Sequence, residues 1–169
     1  MKDRFKPDII CNTIFDIDIE RLKKNGIKYL IIDIDNTIVP WGEYDITKRT
    51  FEWIENLLKE GFKVCLVSNN KKDRVQKIEK LLNVPAIYSA TKPLKRGFLK
   101  AAKLLNGLNN KEKVAVIGDQ FFTDVIGAKR IGFYAILVRP LKEKEFIVTK
   151  INRILEKKII KHYLKDGSK

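Results

Sequence analysis

Lys28-Tyr-Leu-Ile-Ile-Asp33-Ile-Asp35-Asn-Thr37 decides the fold. Apolar residues fill consecutive positions instead of alternating, the pattern of a strand covered on both faces in a parallel sheet. The run then ends abruptly in carboxylates. Three further runs of the same kind follow, Lys63 to Val67, Lys113 to Ile117 and Tyr134 to Val138, and the weaker Ala86 to Tyr88 adds a fifth. Between them the apolar period becomes helical: Phe51, Ile54, Leu58; Val75, Ile78, Leu82; Phe98, Ala101, Leu105; Val125, Ala128, Ile131. Gly26, Gly61 and Gly132 stand just before strands, where helices must stop. Strand and helix alternate, which predicts an α/β domain: a doubly wound, Rossmann-like parallel sheet of about five strands with helices on both faces.

Across 169 residues there is no internal repeat, low-complexity tract or Pro/Gly-rich linker. Residues 1–140 read as one domain with an N-terminal arm over 1–26. Residues 141–169 carry nine Lys/Arg against four Asp/Glu, with Ile147, Ile151, Ile154, Leu155, Ile159 and Tyr163 at helical spacing. They read as a basic amphipathic helix, either packed on the domain or lying on anionic lipid. The whole chain has a formal charge of +14, so an anionic partner is expected: nucleic acid, an acidic membrane surface or a phosphorylated ligand. No apolar run approaches the ~18 residues of a membrane span. Met1 to Asn12 has no secretory apolar region, which predicts a cytoplasmic address. Cys11 and Cys65 lack metal-ligand spacing, and Cys65 reads as a small core residue. The single His162 lies in the Lys-rich tail, which excludes His-based nucleophile activation unless the tail folds back.

In a strand, positions i and i+2 point to the same side, so Asp33 and Asp35 would present two carboxylates together. Two adjacent anions at a buried strand end call for a hard cation such as Mg²⁺, and ligands of open α/β sheets bind outside the carboxyl ends of the strands. The second strand ends in Val67-Ser68-Asn69-Asn70, offering a hydroxyl and free backbone N–H groups to an anion; Ser and Asn are equally the ordinary helix caps. Lys92, alone, is one lysine among many. Gly118-Asp119-Gln-Phe-Phe-Thr-Asp124 adds two carboxylates, of which Asp124 could be only a helix-dipole partner.

Taken together, DxDxT, then Ser, then Lys, then GDxxxxD over residues 33 to 124 resembles the haloacid dehalogenase (HAD) superfamily of phosphotransferases. Asp33 to Trp41 (DIDNTIVPW), Ile14-Phe-Asp-Ile-Asp18 and Gly118 to Asp124 look like the YqeG group within its subfamily IIIA, which is similar to mitochondrial phosphatidylglycerophosphate phosphatase; the likeness runs from Pro7 to about Pro140. The resemblance implies a Mg²⁺-dependent phosphatase with Asp33 as nucleophile, forming an aspartyl-phosphate, and Asp35 as general acid and base. It implies metal ligation by Asp33, Asp119 and the Asp35 backbone carbonyl, with Asp124 orienting Asp119 or a metal-bound water. Ser68 and Lys92 would bind the transferring oxygens, assisted by Thr37 and the Asn69 backbone N–H.

Many relatives cover the site with an inserted cap, for which there is no room here. Only 30 residues separate Thr37 from Ser68 and 23 separate Ser68 from Lys92, whereas a folded insert needs on the order of 50. A capless, open site suits a phosphate carried on something large. Trp41 borders the opening, either as a packed loop anchor or as an indole at a lipid interface. The expectation is dephosphorylation of phosphatidylglycerophosphate at the inner face of a membrane. The alternatives are a phosphatase of nucleic-acid ends or phosphoproteins, and a non-catalytic RNA-binding module on the same fold.

Overall fold

The computed structural model describes residues 5–142. Six strands, β1 (Ile9–Cys11), β2 (Tyr29–Asp33), β3 (Lys63–Val67), β4 (Ala86–Ile87), β5 (Val114–Gly118) and β6 (Tyr134–Val138), form one sheet in the order β1-β6-β5-β2-β3-β4. Every neighbouring pair is parallel. The open α/β architecture is the expected one, with one strand more than the five read from the sequence. The extra strand is β1, three residues at the sheet edge paired to β6. Ile9-Ile10-Cys11 is too short to show a period, and its pairing exists only once β6 is in place. The N-terminal arm therefore completes the sheet, continuing through a 3₁₀ turn at Ile14–Asp16 into α1 (Ile19–Lys24), which Asp18 caps by accepting from the Arg21 N–H at 2.9 Å.

Continuous apolar strands are required because both faces are covered. Leu30 and Ile32 belong to one core, with Trp53, Ile54 and Leu57 of α2 (Lys48–Lys59) and Val75, Ile78 and Leu82 of α3 (Lys72–Leu82). Ile31, between them, belongs to the other, with Phe98 and Ala101 of α4 (Lys95–Leu104) and Ala128 of α5 (Ile126–Lys129). Cys65 lies in this second core, fully buried, and burial pushes its thiol up to about 12. Gly26, Gly61 and Gly132 have positive φ of 73°, 87° and 89°, the left-handed stops that end helices ahead of β2, β3 and β6.

Strand order reverses between β2 and β5: β3 and β4 continue on one side of β2, β5 and β6 on the other. Ile32 is in register with Ile117, so Asp33 and the Gly118-Asp119 step share the point where such sheets bind ligands. Among the described residues no domain is inserted in the loops that leave this edge, and no helix is long and apolar enough to cross a membrane. The basic helix expected over 141–169 lies, from residue 143 onward, outside the described residues, as does His162.

Candidate active site

β2 carries Asp33 to the reversal point, and the loops after β2, β3, β4 and β5 bring the other residues to it. The carboxylates of Asp33, Asp119 and Asp124 are all buried, with an oxygen from each within 4.8 Å of the others. One ammonium stands among them. Lys92 Nζ donates to Asp33 Oδ1 at 2.5 Å and to Asp124 Oδ1 at 2.7 Å. Thr37 Oγ1 lies 3.3 Å from Asp33 Oδ2 and 3.4 Å from Asp119 Oδ1. Burial pushes the Asp33 carboxyl up to about 7; the Lys92 charge opposes that rise and Asp124 adds to it. Burial also opposes the charge on Lys92, but Asp124 and Asp33 outweigh it and hold the ammonium above its ordinary pKa. A donor set of buried carboxylate oxygens fits a hard divalent cation such as Mg²⁺.

The Asp35 side chain does not join this cluster, contrary to the pairing expected from strand geometry. β2 ends at Asp33, and Asp35 keeps only an isolated bridge to Val39. The two-residue alternation of a strand therefore stops short of Asp35, and Asn36 follows in the left-handed region with φ 63°. Asp35 instead accepts from Ser68 Oγ and Asn70 Nδ2, each 2.8 Å from Oδ2, and from Arg74 Nε at 3.0 Å on Oδ1. Ser68, fully buried, therefore spends its hydroxyl on Asp35. Asn69 acts through its side chain: Oδ1 accepts from the Lys92 N–H at 2.7 Å, and Nδ2 donates to the Lys92 carbonyl at 3.3 Å. That pair holds the loop after β4 against the loop after β3.

Asp124 owes its place to a π-helical turn, Phe121–Val125, of the kind often found at functional sites. The turn folds Asp124 back beneath the end of β5, where Oδ2 accepts from the Gln120 N–H at 3.1 Å. Gly118 permits this: a Cβ there would lie 2.4 Å from the Asp124 carboxyl. Above the cluster is a cavity of about 270 Å³ lined by Asp33, Asp35, Trp41, Asn69, Asn70, Lys92, Gln120 and Thr123. Asn70, Gln120 and Thr123 were not singled out from the sequence, and neither was Arg74, which lies behind Asp35. Among so many basic residues, no spacing distinguishes a buried arginine from a solvated one.

Comparison with known proteins agrees with this geometry. The family model described as mitochondrial PGP phosphatase matches residues 1–141. The chain is 39% identical over 167 residues to the Bacillus subtilis protein named "Probable phosphatase YqeG", covering 99% of this chain and 96% of that one. It is 27% identical over 183 residues to the Arabidopsis thaliana protein named "Phosphatidylglycerophosphate phosphatase 1, chloroplastic/mitochondrial", of which the match covers 51%. In fold, it is similar to YfnB of Bacillus subtilis, assigned to the HAD hydrolases and solved bound to magnesium, with a TM-score of 0.57 and 13% identity over 72% of this chain and 90% of that one. A cobalt-bound octulosonate 8-phosphate phosphatase (YrbI) from Haemophilus influenzae gives 0.50 and 17% identity, over 58% and 61%. A match that spans nearly all the described residues, on a sheet whose reversal point gathers the carboxylates, places this chain in the mitochondrial PGP phosphatase family, as a phosphatase of the HAD fold.

Proposed function

We propose that this phosphatase depends on Mg²⁺, works through an aspartyl-phosphate on Asp33, and acts on phosphatidylglycerophosphate at a membrane surface. The observation that carries the chemistry is the position of Asp33: buried at the reversal point, one oxygen on Lys92, at the floor of an uncapped cavity. The Asp33 carboxylate attacks phosphorus as the ester P–O bond breaks, and Asp35 gives its proton to the departing alcohol oxygen. Asp35, now ionised, takes a proton from water, which attacks the aspartyl-phosphate; inorganic phosphate leaves and Asp33 is restored. Lys92 places a fixed charge beside the transferring oxygens, and Ser68, Thr37 and the Asn69 backbone N–H add hydrogen bonds as those oxygens gain charge. Asp33 and Asp119, with the Asp35 backbone carbonyl and with Asp124 at the same cluster, would hold Mg²⁺, which when bound would neutralise charge on nucleophile and phosphate.

Support for the lipid comes from the name of the Arabidopsis relative and from the rim of the site. Trp41, Tyr44, Tyr88, Leu94 and Leu141 are large apolar residues exposed in loops at the carboxyl edge of the sheet. Exposed cations Lys71, Arg139 and Lys142 lie in the same loops, and exposed Lys95 opens α4. Such a rim suits an anionic lipid surface, where aromatic rings sit at headgroup level. The test is phosphate release with Mg²⁺ from phosphatidylglycerophosphate in liposomes, from 3′- and 5′-phosphorylated oligonucleotides and from an aryl phosphate, with Asp33→Asn as control. The lipid should be strongly preferred and Asp33→Asn should be inactive on all of them. Turnover by Asp33→Asn would overturn the nucleophile, and preference for an oligonucleotide would overturn the lipid.

A further inference from the structure

Among the described residues Arg74 is the one guanidinium drawn into the site, and what it touches gives it a role that the motifs do not contain. It sits in the first turn of α3, near the exposed Lys71 before the helix and the exposed Lys72 and Lys77 within it, yet its own side chain is only 10% exposed and that of its partner Asp35 only 11%. Burying a guanidinium is costly unless its charge is met. Arg–carboxylate pairs frequently fork across both oxygens. Here Nε at 3.0 Å and Nη2 at 2.8 Å both meet Oδ1, and buried Nη2 has no aligned hydrogen-bond acceptor. Oδ2 is left to Ser68 and Asn70. The opposite side of the guanidinium engages the rim: Nη1 donates to the Glu43 carbonyl, and the group lies 4.9 Å from the centre of the Tyr44 ring, which Lys77 Nζ also approaches at 4.8 Å. Glu43 and Tyr44 follow Trp41, a wall of the cavity.

We propose that Arg74 is the positioning residue for Asp35: by fixing Oδ1 it makes Oδ2 the oxygen that exchanges the proton, and it ties that oxygen to the Glu43-Tyr44 stretch of the rim. This deepens the mechanism proposed above and rests on its assignment of Asp35. When a phosphoryl group draws the Ser68 hydroxyl to itself, Oδ2 loses a donor and becomes able to carry a proton to the leaving oxygen. Oδ1, held by Arg74, does not move. Lysine would not replace it, because a point charge cannot hold Oδ1 and the Glu43 carbonyl together.

The experiment compares wild type, Arg74→Ala, Asp35→Asn and the double variant with Mg²⁺ on 4-nitrophenyl phosphate and on phenyl phosphate, whose poorer leaving group needs the proton more. Arg74→Ala should lower kcat/KM for phenyl phosphate about 10²-fold, the scale of a small misplacement of a reacting group, and lower it far less for 4-nitrophenyl phosphate. Inhibition by inorganic phosphate should keep its wild-type Ki. In the Asp35→Asn background the same substitution should cost almost nothing, because residues that act as a unit are not additive. Equal losses on both substrates, an undiminished loss in the Asp35→Asn background, or a raised phosphate Ki would each overturn the inference alone. An Asp35→Asn variant with wild-type rates on both substrates would overturn the acid–base assignment and the inference with it. If Arg74→Ala fails to fold, Arg74→Lys carries the same comparison with a smaller loss.

Discussion

Asp33 is asked to be a nucleophile in the place least hospitable to its charge. Its carboxyl is raised to about 7 by burial, the pull of Lys92 notwithstanding, whereas an unfolded aspartate ionises near 4. Over the interval between those values the folded, metal-free protein binds the proton that the unfolded chain has released. The protonated group therefore stabilises the fold fully below about pH 4, and that contribution is lost as pH rises through about 7. Asp33→Asn cannot ionise and escapes the loss. In urea unfolding with a chelator present, its stability relative to wild type should improve by on the order of 2 kcal/mol between pH 5 and pH 8. A difference that stays constant between those pH values would mean that Asp33 is ionised throughout. A substitution that abolishes turnover while stabilising the empty site is what a buried nucleophile awaiting a cation predicts.

The turn after β5 governs Asp124. Its helical period, Val125, Ala128 and Ile131, is plain in the sequence, but the π-helical opening that swings Asp124 under Gly118 leaves no mark in the pattern, because a wider turn uses the same apolar residues. Gly118→Ala would set a methyl carbon 2.4 Å from the Asp124 carboxyl and push it away from Lys92 and the cluster. We expect a loss of about 10–100-fold in Mg²⁺ affinity or activity and about 1–3 kcal/mol of stability, read by Mg²⁺ titration of turnover and by thermal unfolding. Wild-type Mg²⁺ dependence would show that the turn yields without consequence. The turn after β2 teaches the same lesson. DxD spacing identifies both carboxylates, but β2 ends at Asp33 and Asp35 lies outside it, held by Ser68, Asn70 and Arg74.

In the molecule as a whole, a parallel sheet puts every strand's carboxyl end on one edge, so the site and its rim face the same way. Leu141 and Lys142 are tied to that rim: the Leu141 N–H donates to the Asn36 carbonyl at 2.9 Å, Asn36 Nδ2 donates to the Lys142 carbonyl at 3.1 Å, and Lys142 pairs with Glu43. Leu141 and Lys142, the last of the described residues, are thus held beside the cavity mouth. Removing residues 145–169, which carry seven Lys/Arg against three Asp/Glu, should weaken sedimentation with anionic liposomes by about tenfold or more. Turnover of a soluble aryl phosphate should persist. Unchanged liposome binding would assign the contact to the rim loops alone.

Consecutive apolar runs were sufficient, by themselves, to determine the α/β architecture, and chain spacing left no room for a cap; Asp33, Asp35, Ser68, Lys92, Asp119 and Asp124 became candidates only as a combined motif that resembles the HAD phosphotransferases. These are local properties: strand burial shows in four or five adjacent residues, and each motif stands at its own strand end. Which of those residues face one another was decided only by the tertiary structure. The edge strand β1 exists through pairing with β6, more than a hundred residues away; Lys92 bridges Asp33 and Asp124 across three loops; and Arg74 becomes a site residue because α3 packs beside the turn that holds Asp35. The first depends on backbone hydrogen bonding to β6 and the other two on where a carboxylate or a guanidinium finds its counter-charge once water is excluded, and all are settled between segments distant in the chain.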